Sequence, residues 1–476
     1  MNLCDTLPII KLKNQLYDKK RLTDPLPVTY DELKKELQRK TKSGDSNLYN
    51  VNIKEDDDLC IIYYDNGFQL NPEKDNLAIE IEKGTRSCIL EKSSLNIIAT
   101  QFNKILYNND AKEFLVNKEW NKVVVQTCYE GTMLMVFFYK NKWYVSTRRC
   151  LNAEDSTWVR NKSYKEMFNE AIEGKFKLED LNKQYCYHFI LVHYKNRNIV
   201  SYTNAFFPNT FDRNYKQVVH IMTTEICSLK EVDHTINDKV VKIDTLYFSC
   251  LDELYAKLEK ISIDNKANKR ITTEGFVMKV YDGEQGNSSF TVLKLQTDIY
   301  QTIMKIKPNN SNIYQSYLEL YQNGKLNDFL PYFTKYSNEI IRRINMAVKT
   351  ISKEILNIYH ATRKKKNIEL YESLSEQYKK ALYEIHGIYI NHRKKDFVNG
   401  KETTKDINEC KSITVHDIYY YLKGLQSQQL RQIFYDRMIM IDNKINNEYL
   451  SKNCIYTLTQ SRLMFNGNEI EKNHQE

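Results

Sequence analysis

A chain of 476 residues exceeds the usual single-domain size and predicts two or three domains, each large enough for its own core. With 41% apolar and 28% charged residues it has the composition of a soluble globular protein. No apolar run approaches the ~20 residues of a membrane-spanning helix, the longest near candidate being the seven-residue MLMVFFY, so no membrane association is expected. The net charge of +9 is uneven: residues 301–476 carry +8 of it and the first 300 carry +1. Clustered cations gain affinity for a polyanion by releasing its counterions, so RNA or another nucleic acid is the expected partner, a solvated basic face being the alternative.

The N-terminal MNLCDTLPIIKLK has an acid and a proline within its only apolar stretch and lacks the core of a secretory signal. Ten cysteines are scattered as singletons with no CxxC pair and no Cys/His cluster at zinc spacing, which predicts reduced thiols, no structural metal and an intracellular, cytoplasmic setting. The 35 tyrosines stand against 13 glycines and 7 prolines. That bias fits an AT-rich coding sequence, and it also supplies side chains that stack on unpaired bases.

Residues 1–55 are polar, with a helical piece near TYDELKKELQRKTK, and form an N-terminal extension of unassigned role. From Glu55–Asp58 onward come short β-rich segments: LCIIYY, CILEKSSLNIIAT, KVVVQTC, MLMVFFY, WYVSTRR, YCYHFILVHY, NIVSYTNAFF and GFVMKVY. Lys140-Asn141-Lys142 between two apolar runs signals a hairpin. These segments predict a largely antiparallel α+β domain over 56–305.

Residues 306–476 switch to helical period and predict an all-α domain. Ile341, Ile344, Val348, Ile351, Ile355 and Ile358 form one stripe, and Tyr371, Leu374, Tyr378, Leu382, Ile385 and Tyr389 a second. Thr414–Asp417 has the shape of a capping box before IYYYLKGL. The basic clusters RKKKN, with Arg363, Lys364 and Lys365, and HRKKD, with Arg393 and Lys394, either grip RNA or solvate the turns between helices.

No glycine-rich phosphate loop, HExxH, GxSxG or kinase signature is present. What remains is a series of motifs in a meaningful order. TRSCILE (Thr85 to Glu91) is similar to an Arg-Gly-apolar-apolar-Phe-Glu strand, and IATQFNKILYN (Ile98 to Asn108) to an Ile-Ala-Ser…Lys-Phe-Phe-Asn segment. TCYEGT, Thr127 to Thr132, with its following hairpin is similar to Thr-Lys-Glu-Asp-Gly-Ser and a Ser-Lys-Gly strand. Glu274-Gly275-Phe276-Val277 is similar to Glu-Gly-apolar-Val, and KLQTDIY (Lys294 to Tyr300) to Lys-Ile-Lys-Ser-Asp-x-Tyr. In this order, over about 215 residues and followed by a helical domain, they resemble the T-even phage RNA ligase 1 family of covalent nucleotidyltransferases.

The resemblance implies an antiparallel-sheet nucleotidyltransferase domain of the ATP-grasp-like DNA/RNA ligase type, followed by an all-α domain. In that family a lysine attacks the α-phosphate of ATP, with magnesium, and passes AMP to an RNA 5′-phosphate. Carried over residue by residue, it implies nucleotide contacts from Arg86, Lys104, Glu130, Gly131, Glu274 and Lys294. Arg148 and Arg149 end the hairpin's second strand, where alternation sends one to each face, so that one lines the cleft and contacts nucleic acid or both are surface charge.

The departures from the family pattern fall on its chemistry. Cys128 stands where the nucleophilic lysine belongs, and Tyr129-Glu130 replace Glu-Asp. At Ile190-Leu191 the family has a glutamate where this chain has only aliphatics, and Gln296 replaces a lysine. No catalytic residue is therefore assigned. The expected function is an RNA ligase-like protein that binds RNA ends or nucleotide without forming lysyl-AMP. The alternative is an active ATP-dependent RNA ligase with a displaced lysine, for which Lys122 lies too far along its strand and Lys279 and Lys294 are nearer.

Overall fold

The computed structural model describes the chain except residues 1–2, 23, 25, 43, 45–46, 65–73, 160–161, 197, 203–214, 286–287, 310–312, 335–336, 398–411, 447 and 452–476, and except the side chains of 5, 159, 313–314 and 392–397. The chain divides into two compact units, Met1–Thr302 and Ile303–Glu476. Its class is α+β, with largely antiparallel sheets in the first unit and helices in the second. Among the described residues no helix is long and apolar enough to cross a membrane.

The first unit holds seventeen strands among the described residues: β1 Val51–Glu55, β2 Leu59–Tyr64, β3 Cys88–Glu91, β4 Ile97–Thr100, β5 Leu106–Tyr107, β6 Val123–Cys128, β7 Thr132–Tyr139, β8 Lys142–Ser146, β9 Thr157–Val159, β10 Lys162–Ser163, β11 Tyr185–His193, β12 Lys216–Glu225, β13 Glu231–Val232, β14 Val241–Lys242, β15 Thr245–Leu246, β16 Gly275–Tyr281 and β17 Phe290–Gln296. They build a β1-β2-β3-β4 sheet, a β13-β12-β11-β7-β8 sheet with β14 beside β12, a β15-β6-β16-β17-β5 sheet and a small β9–β10 pair. The β7–β8 hairpin turns where the sequence predicts it. Lys140 and Asn141 take φ of 41° and 64°, the two left-handed positions of a tight hairpin turn.

Residues 1–55 are packed into this unit. Thr29 caps the helix Tyr30–Leu37 with a full capping box. Ile9, Leu12, Leu33 and Leu37 pack with Cys60, Ile62, Cys88 and Leu90 of the first sheet, and β1 itself belongs to that sheet, so a boundary at residue 56 would cut the β1–β2 hairpin. The opposite face of the first sheet, Leu59, Ile61 and Ile89, packs on Met135, Phe137 and Cys186 of the second. The second sheet's other face covers the helix Tyr164–Ile172 through Leu134, Tyr187, Phe189 and Leu191.

Two expected strands differ. In NIVSYTNAFF the described residues form no strand beyond a single bridge from Val200 to Ile271, and 203–207 lie outside the described residues. WYVSTRR ends its strand at Ser146, because Thr147 Oγ1 accepts from the amides of Arg149 (3.3 Å) and Cys150 (3.2 Å) and folds the chain into a turn.

In the second unit the helix Ser337–Arg363 buries Ile344, Val348, Ile351, Ile355 and Ile358 as its period requires, with Ile340 fully buried and Ile341 only half-buried. The second predicted stripe is broken into Ile368–Ser373 and Glu376–Phe397. Ser375 interrupts it: its hydroxyl accepts from the Tyr378 amide at 3.3 Å and donates to Asp436 Oδ2 at 2.6 Å, a start signal inside an apolar repeat. Thr414 and Asp417 form the expected capping box.

Buried histidines give the first unit an acid limit. His188 lies 3.4 Å through Nε2 from Thr224 Oγ1 and is wholly buried. Burial, reinforced by Lys279 and His220, pulls its pKa from 6.5 down to about 3. The unfolded chain therefore binds a proton near pH 6.5 that the folded chain refuses until about pH 3. The stability His188 contributes is full above pH 6.5 and is lost as pH falls through that window. Between pH 6 and 4, urea melts should show wild-type stability falling more steeply than that of His188→Leu, by about 1 kcal/mol per pH unit; equal slopes would contradict this.

Candidate functional site

The register of the β15-β6-β16-β17-β5 sheet decides which motif residues meet. Cys128 is opposite Gly275, Gly275 opposite Gln296, and Val277 opposite Lys294, while Lys294 is also beside Tyr107 of β5. Paired residues share a face, so Cys128, Gln296 and Lys294 all point away from the face of Phe276, Met278, Leu293 and Leu295 that packs on the helices Asn108–Leu115 and Leu251–Ala267. Three stretches separated by up to about 170 residues thus converge at one sheet end.

Gly275 makes the convergence possible. Its φ is +146°, and a Cβ there would lie 2.1 Å from the Leu295 carbonyl oxygen, so only glycine fits between β6 and β17. Gly131 has a similar packing reason: a Cβ would meet the Leu191 carbonyl oxygen at 2.5 Å and Ile190 Cγ2 at 2.6 Å. The aliphatic Ile190 thus packs directly against the turn into β7.

The Glu274 carboxylate organises the site. Oε1 accepts from Lys294 Nζ at 3.1 Å and Gln296 Nε2 at 2.9 Å. Gln296 in turn accepts from Asn108 Nδ2 at 2.9 Å and donates its amide to Asn108 Oδ1 at 3.0 Å. The Glu274 side chain is 6% exposed and that of Lys294 is 19% exposed. Burial, with the Glu274 charge adding to it, pushes the Cys128 thiol well above the usual range, so it is neutral at physiological pH. For Lys294, burial is the largest influence and opposes its charge, while the Glu274 carboxylate 3.1 Å away favours it. With the thiol protonated, Glu274 is the charged partner that acts at neutral pH.

Glu130 holds the neighbouring loop. Oε2 accepts the amides of Ile199 (2.7 Å) and Val200 (2.8 Å), and its carbonyl accepts from Asn198 Nδ2 and the Tyr202 hydroxyl, both at 2.6 Å. Burial raises the Tyr202 and Tyr300 phenols, and Glu130 and Glu274 add to it, so both remain protonated donors.

A cationic group forms around Tyr64. Arg86 donates from Nη1 to the Tyr64 hydroxyl at 3.3 Å and from Nε to Gln101 Oε1 at 3.1 Å. The Arg148 guanidinium lies 4.2 Å from the Tyr64 ring centroid and donates to the Tyr64 carbonyl at 3.0 Å. Burial lowers the Arg148 pKa, Tyr64 opposes this, and Arg86 and Arg149 add to the lowering, which marks a concentration of positive charge. Tyr107 is within electrostatic reach of both Arg148 and Lys294 and is 42% exposed, linking the cations to the sheet end.

No protein-family model matches the chain. It is 37% identical over 83 residues to an immediate-early protein ICP-46 homolog of Invertebrate iridescent virus 3, a match that takes in 16% of this chain and only 18% of that protein. Among solved structures it is similar to a putative ATP-dependent DNA ligase from Aquifex aeolicus, at 12% identity and TM-score 0.34 over 61% of this chain and 67% of that one. An archaeal ATP-dependent RNA ligase is similar at 10% identity and TM-score 0.34, over 72% and 82% of the two chains. A Naegleria gruberi RNA ligase with PPi is similar at 14% identity and TM-score 0.28, over 44% and 58%.

Of the residues singled out from sequence, Glu274, Lys294 and Cys128 come together, Glu130 acts with Glu274 and Cys128 on the Tyr202 and Tyr300 phenols, and Arg86 joins Arg148 around Tyr64. Lys104 is in the loop between β4 and β5, its amide donating to the Lys83 carbonyl at 2.7 Å. Arg149 is exposed in the turn after β8. Lys279 is committed elsewhere, 2.6 Å from Glu231, and four strand residues from Gly275 put it roughly 13 Å along. Lys122 precedes β6 in a short 3-10 turn and pairs with Glu119 at 3.1 Å. Arg363, Lys364 and Lys365 belong to the second unit and are exposed at the end of the helix Ser337–Arg363, whereas the side chains of Arg393 and Lys394 lie outside the described residues.

Sequence reasoning assigned no role to Tyr64, Tyr107, Asn108, Tyr202 and Tyr300, although Tyr107, Asn108 and Tyr300 lie within motifs it quoted. Asn108 had a readable signal, as an asparagine between a β segment and a helix at φ 44°. Tyr64 and Tyr202 had none in a chain with 35 tyrosines.

Proposed function

We propose that the Met1–Thr302 unit is an RNA ligase-like binding module that takes a nucleotide, or the phosphorylated end of an RNA, at the Cys128–Glu274–Lys294 sheet end and does not form lysyl-AMP. The observation that carries this reading is the Lys294–Glu274 ion pair beside the neutral Cys128 thiol. A lysine attacks phosphorus only as the free amine, which enzymes obtain by lowering its pKa. Here a carboxylate, Glu274 at 3.1 Å, is placed to stabilise the ammonium against the burial that opposes it.

Phosphate groups fit the cations. Arg86 and Arg148 flank Tyr64, and an arginine fork suits phosphate oxygens. Tyr107 offers an exposed ring next to Lys294 for a base. A protein-held magnesium fits less well. Glu274 already accepts from Lys294 and Gln296 and Glu130 from two backbone amides, and the described residues contain no group of three or more His, Cys, Asp or Glu suited to a metal. Any magnesium would arrive on the nucleotide phosphates. The competing reading, transfer through a displaced lysine, draws on the same Lys294, whose side chain is within hydrogen-bonding reach of Cys128. Its ion pair with Glu274 weighs against that role.

Calorimetric titration with ATP and magnesium tests the binding. Arg148→Ala should weaken it about tenfold, the loss of one charged hydrogen-bonding contact. Undiminished binding in Arg148→Ala would overturn the placement of the phosphates.

A further inference from the structure

One polar side chain on the cleft face of the β15-β6-β16-β17-β5 sheet is not used by the fold. Gln126 lies on β6 two residues before Cys128, and strand alternation puts both on the face opposite Phe276 and Met278. Gln126 is only 8% exposed, yet its side-chain amide has no hydrogen-bond partner among the described residues, and the amide atoms are not sealed from solvent. An unpaired amide in so buried a place weakens a fold, and an apolar side chain of the same shape would avoid that cost. Packing alone therefore favours leucine or methionine where this chain has glutamine.

The sheet register sets what lies beside it. Gln126 is opposite Thr245 on one side and Val277 on the other, Val277 is opposite Lys294, and Lys294 is beside Tyr107. Thr245, Gln126, Val277, Lys294 and Tyr107 thus form one row across all five strands and share a face. Thr245 and Tyr107 are exposed and Val277 and Lys294 half-buried, so the row is open along its length. At ~4.8 Å between strands, the backbones of Gln126 and Lys294 are roughly 10 Å apart, with an apolar valine between them. A nucleotide covers such a length from its base edge to its first phosphate. The base then lies over Val277 with its edge on Gln126, and the phosphates reach Lys294. Tyr107, at the end of the row, is left for the next base of an RNA end.

From this row we propose that Gln126 is the residue that reads the base of the bound nucleotide, and that it reads adenine. Its Oε1 accepts from the exocyclic amine and its Nε2 donates to the neighbouring ring nitrogen, the two-bond pairing in which a glutamine amide fits adenine. The inference rests on the reading of this sheet end as a nucleotide site and gives that site its base specificity.

Calorimetric titration of the full chain with ATP and with GTP, each with magnesium, tests it. Wild type should bind ATP more tightly than GTP. Gln126→Met keeps the volume and removes the amide. It should weaken ATP binding about tenfold, the loss of one two-bond pairing, without lowering the melting temperature. Gln126→Glu makes the group an acceptor only, which suits the adjacent N1–H and amine donors of guanine, so the ratio of Kd for ATP to Kd for GTP should rise at least tenfold. Arg148→Ala, placed at the phosphates, should weaken both nucleotides and leave their ratio at the wild-type value. A wild-type preference for GTP overturns the inference, as does a ratio that Gln126→Glu leaves unchanged. Where Gln126→Glu melts early, undiminished ATP binding by Gln126→Met overturns it instead. Binding of neither nucleotide by wild type overturns the cleft reading together with this one, whereas binding with an unchanged ratio overturns the role of Gln126 alone.

Discussion

Gly275→Ala lowers the stability of the first unit by roughly 3 kcal/mol, combining a strained backbone region with an overpacked contact. The residue holds φ at +146°, and an added Cβ would sit 2.1 Å from the Leu295 oxygen and 2.8 Å from Gln296 Cα. Both neighbours are backbone atoms of β17 and cannot turn aside as a side-chain tip could. Relief therefore requires β16 to move off β17, which pulls Glu274 away from Lys294 and Gln296. All three tryptophans, Trp120, Trp143 and Trp158, lie in this unit, so urea melts followed by tryptophan fluorescence report it directly. A loss below 1 kcal/mol would show that the β6–β16–β17 junction is looser than described.

Glu354→Ala costs about 3–5 kcal/mol in the helical unit, because it strands a buried guanidinium. Arg437 is 2% exposed and donates from Nε at 2.6 Å and Nη2 at 2.8 Å to the two oxygens of Glu354, whose Oε1 also accepts the Ser451 amide at 2.7 Å. Glu354→Leu combined with Arg437→Met should recover most of that loss, since removing both charges also removes the desolvation they suffer. Thermal melts followed by far-UV ellipticity distinguish the cases. If the single and double variants lose the same amount, the stability lies in packing volume and not in the ion pair.

These two positions show what the sequence makes legible. Hydrophobic period found the helix around Ile344 to Ile358, and strand composition found β2, β6, β7, β11 and β16, because each pattern is local. Glu354 interrupts the same apolar face and reads as a solvated charge until Arg437, 83 residues later, is placed against it. The split at Ser375 was hidden for a related reason, since one serine hydroxyl outweighed a continuous apolar repeat.

At the candidate site, the order of motifs brought Cys128, Glu274 and Lys294 together on paper, and the strand register brings them together in space. What each residue does there was not legible. Glu130 reads as a ligand-facing carboxylate, yet its oxygen is bonded to amides 69 and 70 residues further on. Arg148 and Arg149 read as alternating strand residues, yet the Thr147 hydroxyl turns them out of the strand. In both cases the deciding partner is a hydrogen bond that composition and period do not encode.

The central claim is that Lys294 stays an ammonium and that the site binds without transferring. Incubation with α-labelled ATP and magnesium, followed by a denaturing gel, tests it most directly. The account predicts no covalent label on the wild-type chain at neutral pH. A band that survives alkali, is released by acid as expected of a lysine phosphoramidate, and disappears in Lys294→Arg would contradict it and make this chain a nucleotidyltransferase with a relocated nucleophile.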